Sequence, residues 1–77
     1  MLREVIVRRI IQIRKEKKLS QEELAYASGL DRTYISGVER MKRNLTIDTL
    51  EKIIKGLKVT AKGFFKISND VRYASKS

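Results

Sequence analysis

Apolar residues recur along this chain at helical spacing and nowhere with the strict alternation of a half-buried strand. Ile6, Ile10 and Ile13 mark one stripe, widened by Val7 and Ile11, and predict a helix over 3–18 covered on more than one side. Ser20 followed three residues later by Glu23 is a capping-box pattern, in which serine takes an orphan N–H and glutamate reaches back. It opens a short helix over 21–28, which stops at Gly29, the residue type favoured just past a helix end. Asp31 is a second N-cap candidate, for a helix over 32–40. After a connection at 41–45, Thr46 caps a fourth helix over 47–56, with Ile47, Leu50, Ile53, Ile54 and Leu57 as its apolar face. Thr60 opens a fifth over 61–71, with Phe64, Phe65 and Ile67 as its apolar content. Five short helices and no strand predict an all-α, compact single domain over 1–77.

Composition narrows the chemistry. The chain has 77 residues, no proline and four glycines, and no linker or repeat divides it. It contains neither cysteine nor histidine, which removes disulfides, the commonest metal ligands and the usual general base. With no Gly-rich phosphate loop either, no catalytic constellation can be assembled, so no enzyme, cofactor or metal is expected. No apolar run is long enough to span a membrane, and the N-terminus lacks the apolar stretch of a signal peptide, so a cytoplasmic protein is expected.

Charge points to the partner. Eighteen Lys and Arg against nine Asp and Glu give +9, a field that attracts polyanions. The excess is uneven. Residues 1–18 are net +5, residues 19–31 hold only Glu22, Glu23 and Asp31, and residues 32–43 return to +3. The cationic run at the end of the first helix complements the helix dipole there. A membrane-surface or RNA-binding module would want a basic amphipathic helix with large aromatics or a stacking face. Only the first helix approaches the former.

The most informative stretch is QEELAYASGLDRTYISGVER, residues 21–40. Two short helices joined by a brief turn containing Gly form the helix-turn-helix unit that reads DNA, here at about 20–40. Such helices cross steeply, so a small residue is needed where they meet, and Ala25 supplies it. Leu24, Leu30, Ile35 and Val38 are the inward positions. Arg32, Thr33, Ser36 and Arg40 form the exposed face of the second helix, with Tyr34 beside it. Their donors suit base edges and phosphates.

Residues 8–59 resemble the lambda-repressor/Cro-like helix-turn-helix family, and LDRTYISGVERMKRNLTIDTLEKIIKGL resembles the controller proteins of bacterial restriction–modification systems. A phage-type repressor or an antitoxin is the alternative within the same fold. The resemblance implies a homodimer of five-helix subunits on a near-palindromic operator, governing its own gene and the endonuclease gene. It implies base contacts from Arg32, Thr33, Tyr34 and Ser36, with Arg32 the best placed for a bidentate guanine contact. Phosphate contacts are implied at Gln21, Arg40, Arg43 and Asn44, and an internal ion pair between Arg14 and Glu39. In activating members, acids near Glu22 and Glu23 meet RNA polymerase. Gly37 is read as allowing either a close approach to DNA or a close helix contact. A chain this small can hardly bury every large apolar residue, so Phe64, Phe65, Ile67 and Val71 are expected at the dimer interface.

Overall fold

The structure is a computed structural model and describes residues 2–68. Five α-helices follow in order: α1 (Leu2–Glu16), α2 (Gln21–Ser28), α3 (Arg32–Glu39), α4 (Ile47–Gly56) and α5 (Ala61–Phe64), which continues as a 3-10 turn over Phe65–Ser68. No strand occurs among the described residues.

The helices are delimited by one local device, used repeatedly. At the end of each of the first four, one residue adopts a left-handed backbone: Lys18 (φ 59°), Gly29 (69°), Met41 (64°) and Lys58 (60°). The next residue then donates its N–H back five positions, Leu19 to Arg14, Leu30 to Ala25, Lys42 to Gly37 and Val59 to Ile54. This is the Schellman closure, which satisfies carbonyls left over at a helix C-terminus. It ends α1 two residues before the expected boundary, because Lys17 and Lys18 belong to the closing turn.

Helix starts are equally regular. Ser20 accepts from Glu23 N–H, Thr46 from Thr49 N–H and Thr60 from Gly63 N–H. Before each start stands an apolar residue, and five positions later another: Leu19 and Leu24, Leu30 and Ile35, Leu45 and Leu50, Val59 and Phe64. All eight belong to the core or pack against it, as in a hydrophobic staple. At three junctions one residue both closes a helix and staples the next: Leu19, Leu30 and Val59. Only between α3 and α4 are the two roles split, with Lys42 closing α3, Leu45 stapling α4, and Arg43 and Asn44 between them.

The core gathers Val7, Ile10 and Ile13 of α1, Leu24 and Ala25 of α2, Ile35 and Val38 of α3, Leu50, Ile53, Ile54 and Leu57 of the α4 region, and Phe64. α2 packs chiefly on α3 and α4. Against α4 the approach is close: a Cβ at Gly56 would collide with the Ser28 hydroxyl and stand 3.1 Å from its backbone nitrogen.

Three expectations are corrected here. Ile47 is 73% exposed rather than part of the apolar face, because it sits at the first position of α4, beside a shallow surface pocket with Leu2, Ile6 and Leu45. The fifth element is α-helical for only one turn before tightening to 3-10, and its expected extension to 71 lies partly outside the described residues. Phe64 is fully buried within the single chain. Arg9 fastens that end of the molecule, donating from Nε to the Phe64 carbonyl at 2.8 Å and from Nη2 to that of Gly63 at 3.0 Å.

Candidate nucleic-acid interface

α3 is buried along one side and bare along the other. Ile35 and Val38 face the core and Gly37 is buried, whereas Arg32, Thr33 and Arg40 are exposed and Ser36 is half-buried. Arg32, Ser36 and Arg40 are spaced by four, so they share one stripe on the helix surface. The structure thus brings together on the open side three of the four residues expected at the bases, with Arg40 just beyond the last turn. Asp31 stands at the N-cap with extended backbone, yet its carboxylate makes no capping bond, contrary to its expected role.

Tyr34 has a different geometry. Its hydroxyl donates to the Asn44 carbonyl at 2.6 Å and shares a hydrogen bond with the Thr49 hydroxyl at 2.9 Å. The phenol group expected at a base is therefore already satisfied inside the chain, and it ties α3 to the start of α4. Thr49 in turn completes the α4 cap, accepting from the Thr46 N–H at 3.1 Å.

The α3–α4 loop lies back on α3. Gly37 offers its carbonyl to the N–H groups of Lys42, at 2.7 Å, and Arg43, at 3.2 Å. A Cβ at Gly37 would collide with Cγ of Arg43. The missing side chain thus makes room for the Arg43 stem, a contact with the following loop rather than with another helix. Arg43 and Asn44 remain exposed on the loop surface, beside the α3 stripe.

Behind the far end of α3 lies a charge network. Arg14 Nε meets Glu39 Oε2 at 2.7 Å and Nη2 meets Oε1 at 3.0 Å, a two-bond pair whose side chains are only 12% and 6% exposed. The remaining guanidinium nitrogen donates to the Leu19 carbonyl at 2.8 Å. Gln21, expected at a phosphate, instead donates its side-chain amide to Glu39 Oε1 at 2.9 Å. Its backbone N–H, in the first turn of α2, has no partner within the helix.

Of the residues expected between subunits, Phe65 is 42% exposed and meets Phe64 edge-on, with ring centroids 4.9 Å apart. Ile67 lies on the 3-10 turn with its side chain outside the description, and Val71 lies outside the described residues. Sequence reasoning missed the Arg9 clamp and the Tyr34 tether. The clamp joins residues 55 apart and leaves no local signal. Half of the tether was readable, since Thr49 stands at the third helical position after Thr46, where a capping partner belongs. Among the described residues no group of three His, Cys, Asp or Glu side chains could hold a metal ion, and no helix is long and apolar enough to cross a membrane.

Comparison with known proteins adds to this geometry. The helix-turn-helix family model matches residues 10–64. The control protein C.SmaI of Serratia marcescens is 45% identical over 56 residues, covering 73% of this chain and 67% of that protein. The control protein C.BamHI of Bacillus amyloliquefaciens is 49% identical over 55 residues, covering 70% and 68%. The crystal structure of the wild-type restriction–modification controller protein C.Esp1396I superposes with a TM-score of 0.85 at 54% identity, over 87% of this chain and 88% of that one. The same protein has been solved as a tetramer in complex with its natural 35 base-pair operator, and that chain superposes with a TM-score of 0.84 at 54% identity, over 87% and 88%.

Proposed function

The chain belongs to the helix-turn-helix family and, within it, to the controller proteins of restriction–modification systems, and we propose that it binds a near-palindromic operator as a homodimer and from there governs its own gene and that of the endonuclease. The observation that carries this reading is the stripe Arg32, Thr33, Ser36 and Arg40, displayed on a helix whose opposite side is locked into the core. Such a helix enters the major groove as a rigid unit. Arg32 reads guanine with both guanidinium arms, while Thr33 and Ser36 contact neighbouring base edges. Tyr34 contributes its ring edge, because its hydroxyl is engaged with Asn44 and Thr49.

The backbone grip comes from Arg40, Arg43 and Asn44, and from the N–H groups opening α2 at Gln21, where a helix N-terminus suits a phosphate oxygen. Glu39 holds the Gln21 side chain inward, so this anchor is the backbone N–H rather than the amide. One recognition helix reads too few base pairs to mark an operator; two copies about 34 Å apart double the message. Phe65, with Ile67 and Val71, joins the two copies. Glu22 and Glu23, both exposed at the start of α2, meet RNA polymerase when the protein activates. The protein works in the cytoplasm, as a regulator rather than an enzyme.

Binding to the DNA upstream of its own gene tests this. Arg32→Ala should cost about 1–3 kcal/mol on the cognate site and little on random DNA. Arg43→Ala should weaken both alike and reduce the salt slope by about one unit. Equal losses of specificity in the two variants would contradict the division into base and phosphate contacts. Sedimentation at micromolar concentration should show a dimer, and Phe65→Asp a monomer with weak operator affinity. A wild-type monomer that binds the full palindrome tightly and non-cooperatively would overturn the dimer.

A further inference from the structure

Two arginines on α1 use every guanidinium nitrogen, and they hold different parts of the molecule. Arg14 grips Glu39 at the end of α3 with Nε and Nη2, and the Leu19 carbonyl with Nη1. Arg9 spreads Nε and Nη2 over two successive carbonyls, those of Phe64 and Gly63, at 2.8 and 3.0 Å. Its Nη1 donates to Gln12 Oε1 at 3.0 Å, and Gln12 Nε2 donates in turn to Glu16 Oε2 at 3.2 Å. The fork is thus steadied from its own helix, by side chains that share its stripe. Arg9 and Arg14 stand about 7.5 Å apart along the helix axis and about 140° apart around it. One helix therefore fastens the reading helix on one side and the end of α5 on another.

α5 is a single turn, too short to hold a helical conformation by itself. The Thr60 cap fixes where the turn begins, and the fully buried Phe64 ring fixes its depth. The Arg9 fork meets the turn at its last carbonyls, where Phe65 opens the 3-10 segment. Phe65 is 42% exposed and stands edge-on to Phe64, so the direction of its ring follows the backbone that Arg9 holds. A guanidinium presents its donors in a fixed plane, whereas an ammonium is a point charge on a flexible stem. Two carbonyls held at once restrict rotation of that backbone in a way that one bond does not. Subunits joined through Phe65 would carry any rotation there out to their recognition helices, and a two-fold dimer reads only half-sites whose spacing matches its own.

We propose that Arg9 is a positioning residue of the subunit contact: it fixes the angle at which Phe65 meets a second copy and, through α1 and Arg14, the spacing of the two recognition helices. This rests on the homodimer and operator binding proposed above, and adds to them the residue that sets half-site spacing. The test takes the full chain and the operator upstream of its own gene, with versions in which one base pair is added or removed between the half-sites, and a duplex carrying one half-site. Each such change moves the half-sites by about 3.4 Å and turns them by about 35°. The wild type should prefer the native spacing about tenfold, which corresponds to ~1.4 kcal/mol. Arg9→Met keeps the stem and loses the fork. It should dimerise about tenfold more weakly in sedimentation and accept the three spacings within about threefold, with half-site affinity unchanged. Arg9→Lys, which reaches one carbonyl, should fall between, and it decides the matter if Arg9→Met does not fold. An undiminished spacing preference in the folded variants would overturn the proposal. So would an equal loss on the single half-site, the mark of general destabilisation, or an Arg9→Lys variant indistinguishable from the wild type. A wild-type dimer that binds all three spacings alike would overturn it while sparing the operator-binding function. A wild type that stays monomeric or leaves the operator empty would refute that function itself.

Discussion

Three of the four connections between the described helices are three or four residues long, and one is seven. At Leu19, Leu30 and Val59 a single apolar residue closes one helix and staples the next, so chain direction is set by residues in contact with the core. Between α3 and α4 those duties fall to Lys42 and Leu45, and the residues set free between them are Arg43 and Asn44, both exposed. The longer loop carries Arg40, Lys42 and Arg43 and has no shared staple. Its placement depends instead on longer-range contacts: the Tyr34 hydroxyl on the Asn44 carbonyl, the Arg43 stem over Gly37, and Glu39 held by Arg14 where α3 ends. Loops that meet ligands commonly ride on rigid scaffolds in this way. Here side chains join the backbone bonds of the Gly37 carbonyl in holding the loop.

That contrast can be broken at several points. The largest effect should come from Glu39→Ala, which strands a guanidinium only 12% exposed with one carbonyl for company. The loss of a buried partner costs about 3–5 kcal/mol, and a thermal melt overlaying the wild type would show that the pair contributes nothing. Next, Leu30→Ala should cost about 2 kcal/mol, the low end for an aliphatic truncation because Leu30 is only half-buried. Lys42→Ala, at the corresponding position of the long connection, should stay within ~0.5 kcal/mol. Equal losses in chemical denaturation would erase the distinction between the two kinds of junction.

Tyr34→Phe removes the tether while keeping the ring. About 1 kcal/mol of stability should go with it, and hydrogen exchange at Arg43 and Asn44 should quicken while the α2–α3 turn is unaffected. Unchanged exchange would mean that the loop holds its place without the phenol. The smallest shift in stability belongs to Gly37→Ala. Helix propensity favours alanine by about 1 kcal/mol, and displacement of the Arg43 stem works against it. The melt should therefore move little, while affinity for any DNA sequence falls as the loop is pushed outward. An alanine variant that gains stability and keeps its affinity would show that Arg43 does not need that groove.

Much of the fold was legible because its signals are local. Ser20 with Glu23, Thr46, Thr60 and the left-handed Gly29 each act within one helical turn, so a short stretch of sequence contains the whole interaction. The open stripe of α3 was equally legible from the four-residue spacing of Arg32, Ser36 and Arg40. At Lys18 and Lys58 the same left-handed ending was not marked by glycine; packing of Leu19 and Val59 compels it there. The errors share a cause as well. Ile47 fits the apolar period of α4 yet is exposed, and Phe64 fits a dimer contact yet is buried in its own chain. Periodicity says which side of a helix is apolar, but not how far along the helix a neighbour covers it. Tyr34 and Gln21 taught the same about polar groups. Their residue types announced hydrogen bonds, and the partners were chosen by whatever the fold placed within 3 Å, Glu39 for Gln21 and Asn44 for Tyr34. Helix starts, the open stripe of α3 and the net positive charge were thus determined by the sequence itself, through short-range bonds and composition. Which apolar residues are covered, and which polar ones are left open to solvent, was decided only when helices distant in the chain came together.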